Sequence, residues 1–259
     1  MWILSFAIYL SLKWATWWRV RSKIAHPMWR SAAYLLAWPG MDADSFLSTK
    51  RSASAPPASK WLWAILQTIL GAFLLWVVAR TFPESHPLMR GWVGMVGLVL
   101  VLHFGLFQII AFLWQRLGVA AEPIMQAPLR STSLAEFWGK RWNLGFRQLA
   151  HELIFGPTHR KLGARTAGFL VFLVSGLIHD LVISLPARGG YGLPTLYFLL
   201  QGAGVAIERS RFGRRLILTQ GVSGWCFMTL FLVAPVFWLF HPWFVMRVIL
   251  PFMGAIHAV

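Results

Sequence analysis

The chain has 259 residues, 58% hydrophobic and only 12% charged, with mean hydropathy +0.61. That charged share is about half the usual soluble one and leaves too little polar surface to cover long apolar runs in water. Its 24 basic and 8 acidic side chains give a net charge of +16, but the charges sit in loops and no nucleic-acid motif occurs. They therefore read as membrane topology and attraction to anionic membrane lipids, and nucleic acid is excluded as a partner.

Sixteen tryptophans fit the same picture, because tryptophan favours membrane interfaces. The single Cys226 excludes an intrachain disulfide and any multi-cysteine metal site. The predicted fold class is all-α: a polytopic helical membrane protein, read as one domain over 1–259.

Seven apolar spans are expected, at about 1–18, 61–79, 92–114, 166–185, 193–207, 217–239 and 244–258. The first lacks a basic leader and an Ala-x-Ala site, so an uncleaved span is expected. The loop 19–60 holds a flexible linker at about 48–60, rich in serine, alanine and proline. Upstream of it, Trp38-Pro39-Gly40 reads as a turn, followed by Asp42 and Asp44 near a helix start.

Basic residues alternate along the loops. Loops 19–60, 115–165 and 208–216 hold seven, eight and four Lys/Arg, whereas 80–91, 186–192 and 240–243 hold two, one and none. The positive-inside rule puts the richer set in the cytosol, with the N-terminus outside and the C-terminus near the cytosol. Such a chain suits a bacterial inner membrane or an endoplasmic-reticulum membrane.

The loop 115–165 is too long and too aromatic for a linker. Ser133, with Glu136 three residues on, gives a capping-box-like helix start. The stretch 134–150 then mixes aromatic and cationic side chains, as an interfacial helix does. Phe137, Arg141 and Trp142 fall near one another at helical spacing.

The fourth span contains His179 and, directly after it, Asp180. Ionisable groups at membrane depth are costly, so they tend to line cavities, pair, or do chemistry. The bland alternative is an interhelical hydrogen bond in a packed bundle. Asp180 points about 100° away from His179 on a helix and is free to pair elsewhere, for instance with Arg188.

Other polar positions carry less. His103 and Gln108 are five apart and read as packing with a local hydrogen bond. His151, Glu152 and His159 lack zinc spacing, so no metal site is predicted. Gln201 is a polar position in the fifth span, and Glu208 beside Arg209 and Arg211 reads as a solvated ion pair. Gly189-Gly190 is a tight turn. No Gly-x-Ser-x-Gly elbow exists, which argues against a serine acyl-enzyme.

Two pieces combine: Glu136-Phe-Trp-Gly-Lys-Arg-Trp-Asn143 and Ser175-Gly-Leu-Ile-His179-Asp180. In order, spacing and hydrophobic setting they resemble the membrane-bound O-acyltransferase superfamily, and more closely its wax-synthase-like branch. The resemblance is best over about 100–208. It implies acyl transfer from acyl-CoA, a co-substrate and not a bound cofactor, to a hydroxyl-bearing and mainly lipid acceptor. It implies helices around a buried chamber, with His179 and Asn143 as the catalytic residues.

The chemistry agrees. A neutral imidazole can take a hydroxyl proton during attack. A placed amide can stabilise the thioester oxygen or orient the base. Lys140, Arg141 and Arg147 are candidates to hold CoA phosphates, with Phe137, Trp138 and Trp142 completing the acyl-CoA site. The alternatives are a proton-coupled lipid or small-molecule transporter using His179 and Asp180 as a relay, and a structural scaffold.

Overall fold

The computed structural model describes residues 2–259; Met1, the first residue of the expected 1–18 span, lies outside them. Among the described residues every regular element is helical. Contacts divide the chain into two compact units.

The first unit holds Trp2–Met125, Leu144–Gln148 and Ile256–Val259. Its helices are α1 (Trp2–Val20), α2 (Met28–Ala37), α3 (Ala43–Leu47), α4 (Ala58–Thr81) and α5 (Pro87–Arg116). Tyr34, Trp38, Phe46, Leu47 and Phe112 form the heart of its core. The short α3 is held at both ends. Asp42 accepts the Ser45 N–H at 3.0 Å, as its place before a helix start suggested. At the other end the buried Arg30 guanidinium donates to the carbonyls of Phe46, Leu47 and Ser48, putting a cation where a helix leaves carbonyls unmet. Lys13 is buried: its ammonium donates to the Gly40 carbonyl and sits 3.5 Å from the Tyr34 ring centroid.

Helices α4 and α5 approach through two glycines. A Cβ on Gly71 would lie 2.7 Å from the Gly97 carbonyl oxygen, and a Cβ on Gly97 would lie 2.7 Å from that of Gly71. Small residues permit such backbone proximity between membrane helices.

The second unit holds Gln126–Asn143 and Leu149–Ala255. Its elements are α6 (134–141), α7 (Leu144–Ala187, from residue 149 onward), α8 (Leu193–Arg209), α9 (Arg211–Arg215), α10 (Gly221–Leu239) and α11 (Pro242–Ala255). Gly163 interrupts α7 with φ 80° and ψ 168°, a backbone conformation that favours glycine. Further along, a Cβ on Gly176 would lie 2.7 Å from the Thr195 Cα, so α7 and α8 touch backbone to backbone.

Four helices are long and apolar enough to cross a membrane: α4, α5, α7 and α10. The other three expected spans are helical but do not reach that standard. Helix α1 carries Lys13 and Arg19 among its tryptophans, α8 has 17 residues and includes Gln201 and Glu208, and α11 is short. The count of seven therefore overstated what apolar length alone supports.

Candidate active site

The aromatic motif begins at the N-terminus of α6, where free backbone N–H groups need acceptors. Ser133 Oγ accepts the Glu136 N–H at 3.0 Å, the cap that the sequence suggested. The Glu136 carboxylate reaches back to the Thr132 N–H at 2.9 Å, one residue before the usual reciprocal partner. Glu208 supplies the rest. It is not a solvated ion pair; it is fully buried, and its two oxygens accept the N–H groups of Leu134 at 2.8 Å and Ala135 at 2.9 Å. An acid at a helix N-terminus meets both free donors and the positive end of the dipole. Burial nonetheless raises the Glu208 carboxyl above its ordinary range, against the pull of those two N–H groups and Arg209.

The expected single helix over 134–150 is broken. From Phe137 the chain makes a wide turn in which the Trp142 N–H returns to the Phe137 carbonyl at 2.9 Å. Trp142 is extended, and Asn143 is left-handed with φ 44°, a conformation asparagine tolerates better than most. The turn stacks Phe137 and Trp142 with centroids 5.3 Å apart and planes at 16°. Phe137 is buried with Leu134 and Met228.

The three cations proposed for phosphate differ in what they do. Arg141 is committed: its Nε donates to Glu136 Oε1 at 2.8 Å, its Nη2 lies 2.7 Å from the same oxygen, and its Nη1 donates to the Gln126 carbonyl at 3.2 Å. The Thr132 N–H, together with Arg141, holds the Glu136 carboxyl below its ordinary range. Lys140 is exposed on this turn, and Arg147 is exposed in the first unit.

His179 lies on α7 with Nδ1 2.7 Å from the Ser175 carbonyl oxygen. A carbonyl only accepts, so Nδ1 carries the hydrogen and Nε2 keeps the lone pair. The imidazole packs on Phe198 of α8, centroids 4.4 Å apart and planes at 41°. Phe198 also meets Trp138 at 5.5 Å, and Trp138 meets Phe172 of α7 at 6.2 Å. The aromatic motif and the histidine segment are thus joined through one phenylalanine that sequence reading did not single out. It sits in an apolar run of α8, where no spacing or charge distinguishes it.

Asp180 takes its donors from α8 and its own turn, not from Arg188. Oδ1 accepts from Ser184 Oγ at 2.8 Å and the Gly192 N–H at 2.9 Å. Oδ2 accepts from the Thr195 N–H at 3.1 Å and from the Thr195 hydroxyl. Ser184 Oγ also lies 3.2 Å from Nε2 of the fully buried His241, whose Nδ1 accepts the Phe244 N–H at 3.2 Å. His241 Nε2 is therefore the donor to Ser184. Burial lowers the His241 imidazole from its ordinary value, against the opposing Asp180 charge.

This Ser–His–Asp set is not a nucleophilic triad. Histidine donates to serine instead of accepting from it, and the buried serine's proton is spent on aspartate. Beside it, a groove of about 650 Å³ is lined by Leu177, Leu181, Leu185, Leu196 and Tyr191 around Asp180 and Thr195; His179 is not part of that lining. His151 and His159 stack on the two sides of the turn around Phe155, at 5.3 and 5.4 Å.

The fold and site define an integral membrane protein of helices with an aromatic motif packed beside a histidine in a spanning helix. Residues 121–200 match the model of the Membrane bound O-acyl transferase family. The chain is 31% identical over 199 residues to "Probable long-chain-alcohol O-fatty-acyltransferase 2" of Arabidopsis thaliana, covering 72% of this chain and 57% of that one. Number 7 of that Arabidopsis thaliana series is 34% identical over 142 residues, covering 49% and 41%. Number 9 is 38% identical over 112 residues, covering 38% and 33%. The chain belongs to the membrane-bound O-acyltransferase family, on its wax-synthase-like side. The matched regions span 57% or less of these relatives' own length.

Proposed function

We propose that the chain is a membrane O-acyltransferase that moves an acyl group from acyl-CoA to a hydroxyl, with a long-chain alcohol as first acceptor and a wax ester as product. The observation that carries the reading is the His179 tautomer. With Nδ1–H tied to the Ser175 carbonyl, Nε2 offers a lone pair to a hydroxyl proton. The names of the relatives support the acceptor class.

In this mechanism the alcohol oxygen attacks the thioester carbonyl carbon while His179 Nε2 takes its proton. Collapse of the tetrahedral species breaks the C–S bond, and the proton passes to the departing thiolate. Asn143 positions the acyl group or the base. Transfer is direct, since the Ser184 hydroxyl is already committed. Lys140 and Arg147 are the phosphate-holding candidates, while Arg141 braces the turn through Glu136. In the same reading α1, α8 and α11 also cross the bilayer, giving seven crossings around a chamber open to cytosolic CoA and to a lipid acceptor. The loop charges then set the N-terminus outside. A transporter relay through Asp180 is disfavoured, because Ser184, Gly192 and Thr195 already fill its carboxylate.

The test is CoA release and ester formation by purified protein in nanodiscs, with a panel of acyl-CoAs and alcohols. Ester formation that disappears in folded His179→Ala supports the reading; silence of the wild type across the panel overturns it.

A further inference from the structure

Three buried polar atoms of the second unit meet no hydrogen-bond partner among the described residues: Ser131 Oγ, Gln201 Oε1 and Trp138 Nε1. An enclosed indole N–H ordinarily finds an acceptor, so Trp138 calls for an explanation. Its ring is held by Phe137 at 5.0 Å, Phe198 at 5.5 Å and Phe172 at 6.2 Å, all of them rings without a conventional acceptor. The Gln201 amide is oriented by its own N–H₂, which donates to the Phe231 carbonyl at 2.7 Å. Its unmet atom is an acceptor and cannot stabilise growing negative charge. Ser131 lies in the loop before α6. Of the three, only Trp138 offers an unspent N–H beside the ring on which His179 packs.

The distances suit a role in the reaction. Phe198 meets His179 at 4.4 Å and Trp138 at 5.5 Å, so the last two ring centroids can be no farther apart than those lengths laid end to end. A base, a hydroxyl oxygen, a carbonyl group and a donor to its oxygen, in contact in that order, span roughly 6–9 Å. The aromatic shelf fits that span.

We infer that Trp138 is a catalytic residue whose indole N–H donates to the acyl carbonyl oxygen as it becomes tetrahedral; this rests on the acyl-transfer reading above. As the alcohol oxygen bonds to the carbonyl carbon, the C=O π pair moves onto oxygen and meets the Trp138 N–H. The hydroxyl proton goes to His179 Nε2. On collapse the pair returns, the C–S bond breaks, and the thiolate receives the proton.

The test is Trp138→Phe, which keeps a ring between Phe172 and Phe198 and removes the N–H. A second form replaces the indole N–H by sulfur with a benzothienyl side chain, which preserves shape should the phenylalanine variant fold poorly. Each is assayed in nanodiscs for ester formation. Each is also assayed for binding of two inert acyl-CoA analogues: a ketone with CH₂ in place of sulfur, and a thioether lacking the carbonyl. The expected result is a kcat loss of about 30–100-fold with the alcohol KM little changed. The wild type's preference for the ketone over the thioether should vanish while thioether binding stays.

Activity within threefold of an active wild type overturns the proposal, as does equal weakening of both analogues, the mark of a packing role. A silent wild type instead overturns the acyl-transfer reading, and this inference with it.

Discussion

Asp180 and Thr195 are tied to each other twice, through the Thr195 N–H at 3.1 Å and through its hydroxyl. The pair pins the first turn of α8 to the residue directly after His179. One helical turn beyond Thr195, Phe198 closes the circuit by packing on the His179 ring. Thr195→Val keeps the shape and the backbone donor but removes the hydroxyl. It should cost about 1–2 kcal/mol in denaturant unfolding in detergent and slow ester formation in parallel. Wild-type stability in that variant would show the hydroxyl bond to be dispensable.

His179→Gln should lose ester formation by about 100-fold or more, the scale of a missing general base, while melting within a few degrees of the wild type. Asn143→Ala separates enzyme from carrier. An acyltransferase should be impaired by it, whereas a proton-coupled carrier requires His179 and tolerates the change at Asn143. Ester assays and proton flux on the same reconstituted samples distinguish the two.

Glu208→Ala should leave the Leu134 and Ala135 N–H groups without their acceptor inside the protein. The expected loss is about 2–3 kcal/mol, with looser packing of the aromatic turn that α6 begins. Equilibrium unfolding measures the first; tryptophan fluorescence of the folded variant reports the second.

The Glu136 carboxyl stands below its ordinary range because of the Thr132 N–H and Arg141. Its stabilising contribution is therefore complete above the usual carboxylate titration and is lost as pH falls through the lowered folded value. The group is partly exposed, so the effect is under about 1 kcal/mol and shrinks with added salt. Comparing the acid limbs of stability for wild type and Glu136→Gln checks it; identical limbs would contradict the assignment.

Gly176→Val should separate α7 from α8, since even a Cβ there would lie 2.7 Å from the Thr195 Cα. The backbone cannot give way as a side-chain tip would, so a cost of about 2 kcal/mol or more is expected, with ester formation lost alongside. Thermal unfolding of Gly176→Ala and Gly176→Val should rank by side-chain size.

Much of the site was legible because its chemistry is costly where it stands. His179 declared itself by sitting in an apolar run, and Ser133 by its spacing to Glu136. What stayed hidden came from distant segments meeting. Glu208 looked solvated beside Arg209 and Arg211, yet its partners are two amides some seventy residues away in the chain. Phe198 and His241 looked like ordinary core and loop residues until α8 and the segment before α11 were placed. The helix expected over 134–150 had the right composition, but periodicity does not register the wide turn that ends at Asn143. Lys13 hid in the opposite way, as a cation absorbed by a carbonyl and a ring inside an otherwise apolar helix.

The five-residue turn Asp180–Ser184, closed by the Leu185 N–H on the Asp180 carbonyl, acts as a phase setter in α7. A helix advances about 100° per residue, so deleting Val182 alone would swing everything after it around the axis by that amount. His179, Asp180 and Ser184 would all survive by name, yet Ser184 would leave Asp180 and Leu185 would face a different neighbour. Chain length between these residues is therefore as binding a constraint as their identity, and a comparison that aligns the letters while allowing a gap here would align two different machines.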